Sequence, residues 1–314
     1  FYDTEKKTAY QDCYASLNAG KTLGIGNYDS ANIIHSNGKF YLLVGTSTSN
    51  RDHFYIVDAK TLYYENSAVV GANLSGLTIL NEQYGLVTGD GIRRIDLKSL
   101  NNVRIKNERL LCFYNSIIYN GKVLSNDTYK DESKVKYYDV NELIAAKEGE
   151  APAVTELDII QKQKINFVLA KDGNVYTLES ADNGCNIVKI KNDFTLEKVF
   201  ANFQPAKGPY HSSPTIGMVA SETENIIYLV STDGAIYKYI LGDSDSLKAP
   251  FIAAESGVSI TAPLQLNQQS GELYVTYTEE RKDESKIVVY SKDGKVLHTV
   301  DCGESVPSQI LFNN

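Results

Sequence analysis

SANIIHSNGKFYLLVGT, at residues 30–46, decides the fold of this chain together with HFYIVDAKTL at residues 53–62. Two apolar stretches flank an Asn-Gly turn, and a third, alternating stretch ends in an aspartate and, four residues later, a leucine. The same phrase returns with variation at residues 115–143 and again at residues 261–297. An internal repeat of this length, built from strands, predicts a closed array of small β-sheets.

The third strand of the phrase is the easiest part to count, because its alternating apolar residues end in a polar residue and a turn. It occurs seven times, in segments that start at residues 1, 54, 92, 135, 187, 236 and 287. Each copy therefore takes about 45 residues, which is the size of one four-stranded propeller blade. The sequence predicts an all-β fold, a seven-bladed β-propeller of four-stranded blades, as a single domain over residues 1–314.

The two ends of the chain are predicted to share one blade. Residues 1–25 match only the third and fourth strands of the phrase, and residues 303–314 match only its first strand. Pairing the N- and C-terminal strands in this blade would close the ring and remove exposed sheet edges. The second strand of the blade is missing, which would leave backbone groups unpaired, so we expect native residues upstream of Phe1.

Local signals support strands joined by tight turns. Asn-Gly pairs at 37–38 and 120–121 supply the positive φ values that two-residue hairpins need. No segment predicts a long helix. The stretch ELIAAKE at 142–148 predicts one or two helical turns between strands.

Charge and composition exclude several functions. The chain has 31 basic and 39 acidic residues and a net charge of -8, so its long-range field repels phosphate backbones, and nucleic acid is not an expected partner. No apolar run approaches the ~20 residues of a membrane-spanning helix. We expect a monomer.

No motif in the sequence points to a catalytic residue, a metal site or a cofactor. The histidines His35, His53, His211 and His298 show no paired ligand spacing. The segment GDSDS at 242–246 has alternating oxygens, but it lacks the later glutamate of an EF-hand and is interpreted as a solvated turn. The chain contains no tryptophan, which excludes the Trp-based signatures of WD repeats, quinoprotein dehydrogenases and sialidases.

The four cysteines, Cys13, Cys112, Cys185 and Cys302, lie in different repeats and contain no C-x-x-C pair. We interpret them as free, buried thiols. A disulfide between Cys13 and Cys302 remains an alternative, because their repeats become neighbours if the ring closes.

The candidate ligand site lies in the loops that lead into each first strand and that join each second strand to the third. These loops gather at one face of a propeller, around the mouth of the central channel. The segment 201–215 is the strongest candidate, because its two prolines lower the entropic cost of ordering it. The predicted ligand-binding residues of these loops are Tyr28, Asp29, His53, Tyr114, Tyr129, Tyr210, His211 and Arg281.

The opening segment resembles a known family. Phe1-Tyr2-Asp3, Asp12-Cys13-Tyr14, Asn18 and Leu23-Gly24, followed by the NGKFY and IVDAKTL strands, are similar to the YncE-like propellers of Bacteroidetes. More narrowly, they resemble the lipoprotein family called domain of unknown function 5074. The resemblance implies a lipid anchor on a cysteine upstream of Phe1 and a location outside the cytoplasm, on the outer membrane, in the periplasm or at the cell surface.

The sequence favours a non-enzymatic binding propeller that captures a small molecule or a glycan at the channel mouth. The resemblance adds a corrinoid as a candidate ligand and an outer-membrane transporter as a candidate partner, because some relatives capture cobalamin and pass it to one. None of the relatives' ligand residues can be matched to positions here. The rival functions are an enzyme of the lactonase or lyase type and a scaffold for protein interactions.

Overall fold

A computed structural model gives the fold of this chain. The residues that the structure describes are 2–3, 8–9, 13–20, 28–46, 51–71, 74–89, 91–106, 116–126, 133–150, 152–161, 166–206, 217–262, 264–279, 284–303 and 312.

The described residues begin with short N-terminal elements and two antiparallel four-stranded sheets, which we call blades 1 and 2. The N-terminal elements are β1 (Tyr2–Asp3), β2 (Thr8–Ala9) and α1 (Cys13–Leu17). Blade 1 consists of β3 (Tyr28–Ser36), β4 (Lys39–Thr46), β5 (Asp52–Asp58) and β6 (Tyr64–Gly71). Blade 2 consists of β7 (Leu74–Ile79), β8 (Tyr84–Gly89), β9 (Gly91–Asp96) and β10 (Asn102–Lys106).

Blades 3 and 4 have the same up-and-down order of four strands. Blade 3 consists of β11 (Ile117–Tyr119), β12 (Lys122–Asn126), β13 (Ser133–Asp139) and β14 (Val154–Gln161), with α2 (Val140–Ala145) between its last two strands. Blade 4 consists of β15 (Val168–Leu169), β16 (Val175–Ala181), β17 (Gly184–Ile190) and β18 (Leu196–Phe203).

Blades 5 and 6 depart slightly from this order. Blade 5 has three strands, β19 (Met218–Ala220), β20 (Ile226–Val230) and β21 (Ile236–Ile240), followed by the 3₁₀ helix Ser244–Leu247. Blade 6 consists of β22 (Val258–Ile260), β23 (Gln265–Leu266), β24 (Leu273–Glu279), β25 (Ser285–Tyr290) and β26 (Val296–Gly303). Both β22 and β23 pair with β24, so the first strand of blade 6 is interrupted.

The predicted number of blades was wrong for the part of the chain that the structure describes, which forms six blades and not seven. Six of the seven counted third strands are confirmed as β5, β9, β13, β17, β21 and β25. The copy at residues 1–9 instead contains two two-residue strands that pair with each other. The predicted closing blade of residues 1–25 and 303–314 falls largely outside the described residues, and α1 replaces the strand expected there. The FYDTEKKTA segment carries a run of charged residues between its apolar ends, so it lacks the sustained alternation of the other copies.

The chain divides into two compact units. The first unit contains the described parts of residues 1–129 and 136–156, which include blades 1 and 2 and most of blade 3. The second contains the described parts of residues 130–135 and 157–312, which include the end of β14 and blades 4 to 6. Among the described residues, no helix has the length and apolar character to span a membrane.

In blades 1 and 2, the aspartate at the end of the third strand explains the leucine that follows it. Asp58 Oδ1 accepts hydrogen bonds from the backbone N–H and the hydroxyl of Thr61, both at 2.7 Å, and Asp96 accepts from the same two groups of Ser99. Each turn then ends on a leucine in the left-handed region, with φ 58°. In blade 3 the corresponding Asp139 caps α2 instead, accepting from two backbone N–H groups of its first turn. The helical turns predicted for this segment are thereby confirmed.

The hairpin turns also follow the sequence prediction. Asn37 and Gly38 have φ values of 51° and 69°, and Asn120 and Gly121 have 48° and 72°. Two consecutive positive φ values define the type I′ turn, whose twist matches that of the flanking strands.

Burial differs between the inner and the outer strands of a blade. All five residues of β20 are buried, whereas β26, an outer fourth strand, has no buried residue. Neighbouring blades of one unit share apolar side chains: Phe54 and Ile56 of blade 1 pack with Val87 and Ile95 of blade 2. Because such strands are covered on both faces, their sequences are almost continuously apolar.

Side-chain amides connect neighbouring blades where no β-ladder does. Asn166, just before β15, brackets Met218, the first residue of β19: its Oδ1 accepts from the Met218 N–H at 3.0 Å and its Nδ2 donates to the Met218 carbonyl at 2.6 Å. Gln268 of blade 6 brackets blade 5 in the same way, donating to the Ala220 carbonyl and accepting from the Glu222 N–H. Each bracket satisfies two backbone groups with one side chain.

A third amide attaches α1 to blade 1. Asn18 is 8% exposed, donates to the Leu62 carbonyl at 2.8 Å and accepts from the Tyr64 N–H at 2.6 Å. Tyr14 of the same helix packs against the cluster that contains Leu42 and Val57. Asn18, one of the residues that carry the family resemblance, therefore has a structural role.

The bracket made by Asn166 requires a glycine beside it. A Cβ at Gly217 would lie 2.6 Å from the Asn166 Cγ, closer than side-chain atoms can approach. We therefore expect Asn166→Ala and Gly217→Ala each to lower the free energy of unfolding by about 1–3 kcal/mol, the cost of leaving buried backbone groups unpaired. The double variant should lose no more free energy of unfolding than either single variant, because truncation of Asn166 leaves room for the new methyl group.

Urea unfolding of the parent, the two single variants and the double variant measures these free energies. The control is Asn141→Ala, an exposed asparagine of α2, which should change stability little. Additive losses in the double variant would contradict the coupling.

Buried tyrosines should make the fold sensitive to alkali. Burial, and secondarily Glu224, raises the pKa of Tyr228 from 10.0 to about 12, and burial and the Tyr290 hydroxyl, 3.1 Å away, raise the pKa of Tyr277. A raised pKa in the folded state adds stability that is complete below pH 10.0 and is lost as the pH rises toward 12. The free energy of unfolding should therefore fall over this range, and less steeply in Tyr228→Phe. An unchanged slope in that variant would contradict the assignment.

Candidate functional site

Most of the long connections between the described strands lie at one end of the blades. Because the strands alternate in direction, the connections from second to third strand and from one blade to the next lie at the same end of a blade, which we call the loop end. The opposite end, which we call the turn end, carries the Asn-Gly hairpins and the aspartate turns described above. The longer loop-end connections cover residues 47–51, 107–116, 127–132, 162–167, 204–217 and 280–284.

Most of the predicted ligand-binding residues belong to these connections. Tyr114, Tyr129, Tyr210, His211 and Arg281 lie outside the described residues. Tyr28 and Asp29 begin β3 at the loop end of blade 1, and their side chains also lie outside the described part. These positions stay predictions.

His53 is the predicted site residue whose side chain the structure describes. It is the second residue of β5, between Val44 of β4 and Val69 of β6, and therefore lies at the loop end of blade 1. Its ring stacks on Tyr55 with centroids 5.9 Å apart and an angle of 22° between the planes. His53 is half-buried, so it can offer one face of its ring at this end.

The connection 204–217 is held at both ends by described contacts. At its start, the Ala206 N–H donates to the Val230 carbonyl at 2.8 Å, and the Gln204 carbonyl accepts from the Thr232 N–H at 2.9 Å. At its end, Met218 is held by the Asn166 bracket. The segment GPYHSSP, which contains Tyr210 and His211, thus starts and finishes on fixed points of blades 4 and 5.

The structure adds a cleft that sequence reasoning missed. It lies between blades 4 and 5 at the turn end and has a volume of about 430 Å³. On its floor, Asp172 accepts from the Tyr176 hydroxyl and from Lys189 Nζ, both at 2.8 Å. The Lys189 ammonium also lies 5.8 Å from the centre of the Tyr176 ring. We call this arrangement the Asp-Tyr-Lys cleft.

The sequence carried only a weak signal for this cleft. Asp172 belongs to an Asp-Gly pair that predicted a hairpin, and it does form the turn between β15 and β16, where its Oδ1 accepts from the Asn174 N–H at 3.1 Å. Tyr176 lies four residues later, and Lys189 is its cross-strand partner in β17. The available signal in the sequence was that Tyr176 and Lys189, on two paired strands, both lie close to the turn aspartate Asp172.

The electrostatics of the cleft argue against acid–base catalysis. Burial, and then the hydrogen bond to Asp172, raises the pKa of Tyr176 far above its ordinary value of 10.0, so its hydroxyl stays protonated. Burial alone would raise the pKa of Asp172, but hydrogen bonds from Lys189, Tyr176 and Asn174 outweigh it and lower the pKa below 3.8. Neither group titrates near neutral pH, where a general acid or base must work.

Other groups that could carry chemistry have structural partners. Asp243, in the segment weighed as a calcium loop, accepts from the Asp245 N–H and caps the 3₁₀ helix. Within the described part of the chain, no group of three His, Cys, Asp or Glu side chains could hold a metal ion. Cys185 and Cys302 are free thiols, so the alternative disulfide to Cys302 is wrong. Burial, and secondarily Glu179, raises the pKa of Cys185 to about 11, which keeps this thiol unreactive.

Comparison with solved structures defines the class of protein. The chain is similar to the β-propeller domain of Cps50 (Swd1) from Myceliophteria thermophila, with 12% identity over 92% of this chain and 91% of that one, and a TM-score of 0.56. A functionally unknown protein from Desulfotomaculum acetoxidans is similar at 12% identity over 90% and 88% of the two chains, with a TM-score of 0.55. At these identities the likeness shows the fold alone, an all-β propeller of four-stranded antiparallel blades.

An enzyme also occurs among the similar folds. A streptogramin B lyase matches over 91% of this chain and 88% of its own, at 14% identity and a TM-score of 0.51. No curated protein matches the sequence. The chain belongs to the family described as domain of unknown function (DUF5074), whose model matches residues 1–313.

The lowered pKa of Asp172 should make the stability of the folded protein depend on pH in the acid range. A lowered pKa in the folded state gives stability that is complete above the unfolded value of 3.8 and is lost as the pH falls through the folded pKa. We therefore expect Asp172→Asn to be less stable than the parent at neutral pH, and the difference to narrow below pH 3.8.

Chemical unfolding of both proteins over this range measures the difference. Asp182→Asn, at an exposed aspartate in the turn between β16 and β17, is the matched control and should show no such narrowing. A constant gap between Asp172→Asn and the parent would contradict the ion-pair geometry.

Proposed function

We propose that this protein is a non-enzymatic binding propeller that captures a small molecule or a glycan at the loop end of its blades. The ligand would meet side chains from several connections, each of which contributes a contact. A corrinoid is a specific candidate, which comes from the resemblance to YncE-like propellers of Bacteroidetes. This proposal concerns the loop end and is separate from the Asp-Tyr-Lys cleft.

One observation carries the proposal: the connection 204–217, the longest of the loop-end connections, is anchored at both ends. A binding loop whose two ends are held loses less entropy on binding than a loop whose ends are free. At the turn end, by contrast, the carboxylates of Asp58 and Asp96 accept hydrogen bonds from groups of their own turns. The connections of the loop end carry most of the predicted ligand-binding residues, which favours this end for recognition.

The rival functions have less support. Propeller lyases and lactonases need a metal or an acid–base pair, and the described residues contain neither a metal-ligand cluster nor a titrating pair in the cleft. A protein-interaction scaffold would call for a contiguous apolar patch. The exposed apolar side chains that the structure describes, such as Val69, Val154 and Leu196, stand on the outer strands of different blades.

The proposal extends to location and partners. The resemblance implies a lipid anchor upstream of Phe1 and a place outside the cytoplasm, on the outer membrane, in the periplasm or at the cell surface. An outer-membrane transporter would be the partner that receives a captured corrinoid. We propose that the protein acts as a monomer without a cofactor.

Thermal unfolding with added ligand tests the binding function. Incubation with a corrinoid, haem or members of a glycan panel should raise the melting temperature for one class, because a ligand at 100 times its dissociation constant adds about 2.7 kcal/mol of stability. Substituting both Tyr210→Ala and His211→Ala should remove the shift without lowering the melting temperature of the free protein.

Two results would count against the proposal. One is the absence of a shift with every compound tested. The other is a shift that survives changes at Tyr210, His211 and His53, since the ligand would then bind elsewhere. Tyr63→Ala, an exposed residue at the turn end of blade 1 that is 54% accessible, serves as the control and should keep the shift.

A further inference from the structure

The Asp-Tyr-Lys cleft has the size of a ligand site. Its volume of about 430 Å³ falls within the range of about 300–1,000 Å³ that is usual for small-molecule pockets. Its walls come from β16, β17 and β18 on one side and from the turn before β20 and the segment after β21 on the other. Both walls belong to the second unit, and strands with buried residues support them.

The charges that line the cleft balance one another. Asp172 pairs with Lys189 on the floor, while Glu197 and Lys198 stand on the rim of β18. Both rim residues have partners of opposite charge, because Glu197 is 2.9 Å from Lys191 and Lys198 is 3.5 Å from Glu179. A lining with two acids and two bases, all of them paired, offers no net attraction to an anion or a cation.

Hydrogen-bonding capacity remains on neutral groups and on one ammonium. The Asn225 side chain is exposed at the cleft and makes no hydrogen bond to any described residue, and the same holds for the Ser244 hydroxyl. Lys189 uses one of its three donors on Asp172. Amide, hydroxyl and ammonium groups together provide several donors and acceptors at short spacing.

The apolar part of the lining is small. Val199 and Leu241 are half-buried and provide a limited apolar surface beside the polar groups. An apolar ligand would remove the polar groups from water and would offer them no hydrogen bonds in return. The loss of those hydrogen bonds is costly. A ring that carries many hydroxyl groups satisfies the donors and acceptors and covers the apolar surface with its C–H groups.

We propose that the Asp-Tyr-Lys cleft is a second binding site, and that its ligand is one uncharged sugar residue. The Asn225 amide and the Ser244 hydroxyl exchange hydrogen bonds with the sugar hydroxyls, and Lys189 donates to a sugar oxygen while it keeps its contact with Asp172. The paired charges exclude phosphorylated and acidic sugars, since an added anion would find no unpaired cation. This site does not depend on the proposed function of the loop end.

Saturation-transfer NMR with the full chain tests the site. The probes are the methyl glycosides of glucose, galactose, mannose and N-acetylglucosamine, each added alone. We expect transfer to one or more of them, and binding weaker by about three- to tenfold in Asn225→Ala, which corresponds to one lost hydrogen bond. Asn225 is exposed, so this change should leave the melting temperature unchanged.

Matched variants separate this site from others. Gln269→Ala removes an exposed amide from the corresponding turn of blade 6 and should keep parental binding. The loop-end variant with Tyr210→Ala and His211→Ala should also keep it. Retained sugar binding in that variant, together with loss of the thermal shift by corrinoid, haem or glycan, would show that the two sites are independent.

Three results would overturn the proposal. The first is no saturation transfer to any of the four glycosides. The second is equal binding by the parent and Asn225→Ala. The third is displacement of the glycoside by inorganic phosphate, which would show that the site recognises an anion.

Discussion

The interaction on which the packing of blades 4 to 6 depends is the bracket that one side-chain amide forms around a backbone N–H and a backbone carbonyl of a neighbouring blade. Within a blade, β-ladders satisfy the backbone. Between blades the described backbone pairing is short, as where Pro205 forms a bridge with Ser231, and apolar contact alone does not fix register. Asn166 supplies that register at Met218, and Gln268 supplies it at Ala220 and Glu222. Gly217 is part of the same device, because any side chain there would displace the amide.

The two ends of the blades have different contents. At the turn end, the aspartate turns use their own acceptors, and in blades 4 and 5 this end also contains the Asp-Tyr-Lys cleft. At the loop end, the Asn166 bracket and the Ala206 contact fix the points between which GPYHSSP runs. An anchored connection of this kind supports the binding role that we propose for the loop end.

The sequence predicted the repeated parts of the fold well, since periodicity and turn chemistry are local. The Asn-Gly hairpins, six third strands and α2 are confirmed for this reason. The prediction of a blade strand at residues 1–9 was wrong, because this segment lacks the alternation of apolar and polar residues that a blade strand needs. The brackets and the cleft could not be predicted, because residues such as Asn166 and Met218 or Asp172 and Asn225 meet only through tertiary packing. Of the candidate site, His53 lies in strand β5 at the loop end of blade 1 rather than in the loop itself, and its role in binding stays a prediction.

Hydrogen exchange at the Met218 amide tests the central claim most directly, because this N–H donates its hydrogen bond to the Asn166 side chain and not to a strand. The account predicts slow exchange in the parent protein and exchange faster by about tenfold or more in Asn166→Ala and in Gly217→Ala. Amides in the middle of β20, which are held by ladders on both sides, should keep their protection. Unchanged exchange at Met218 in both variants would contradict the claim that the side-chain amide holds neighbouring blades in register.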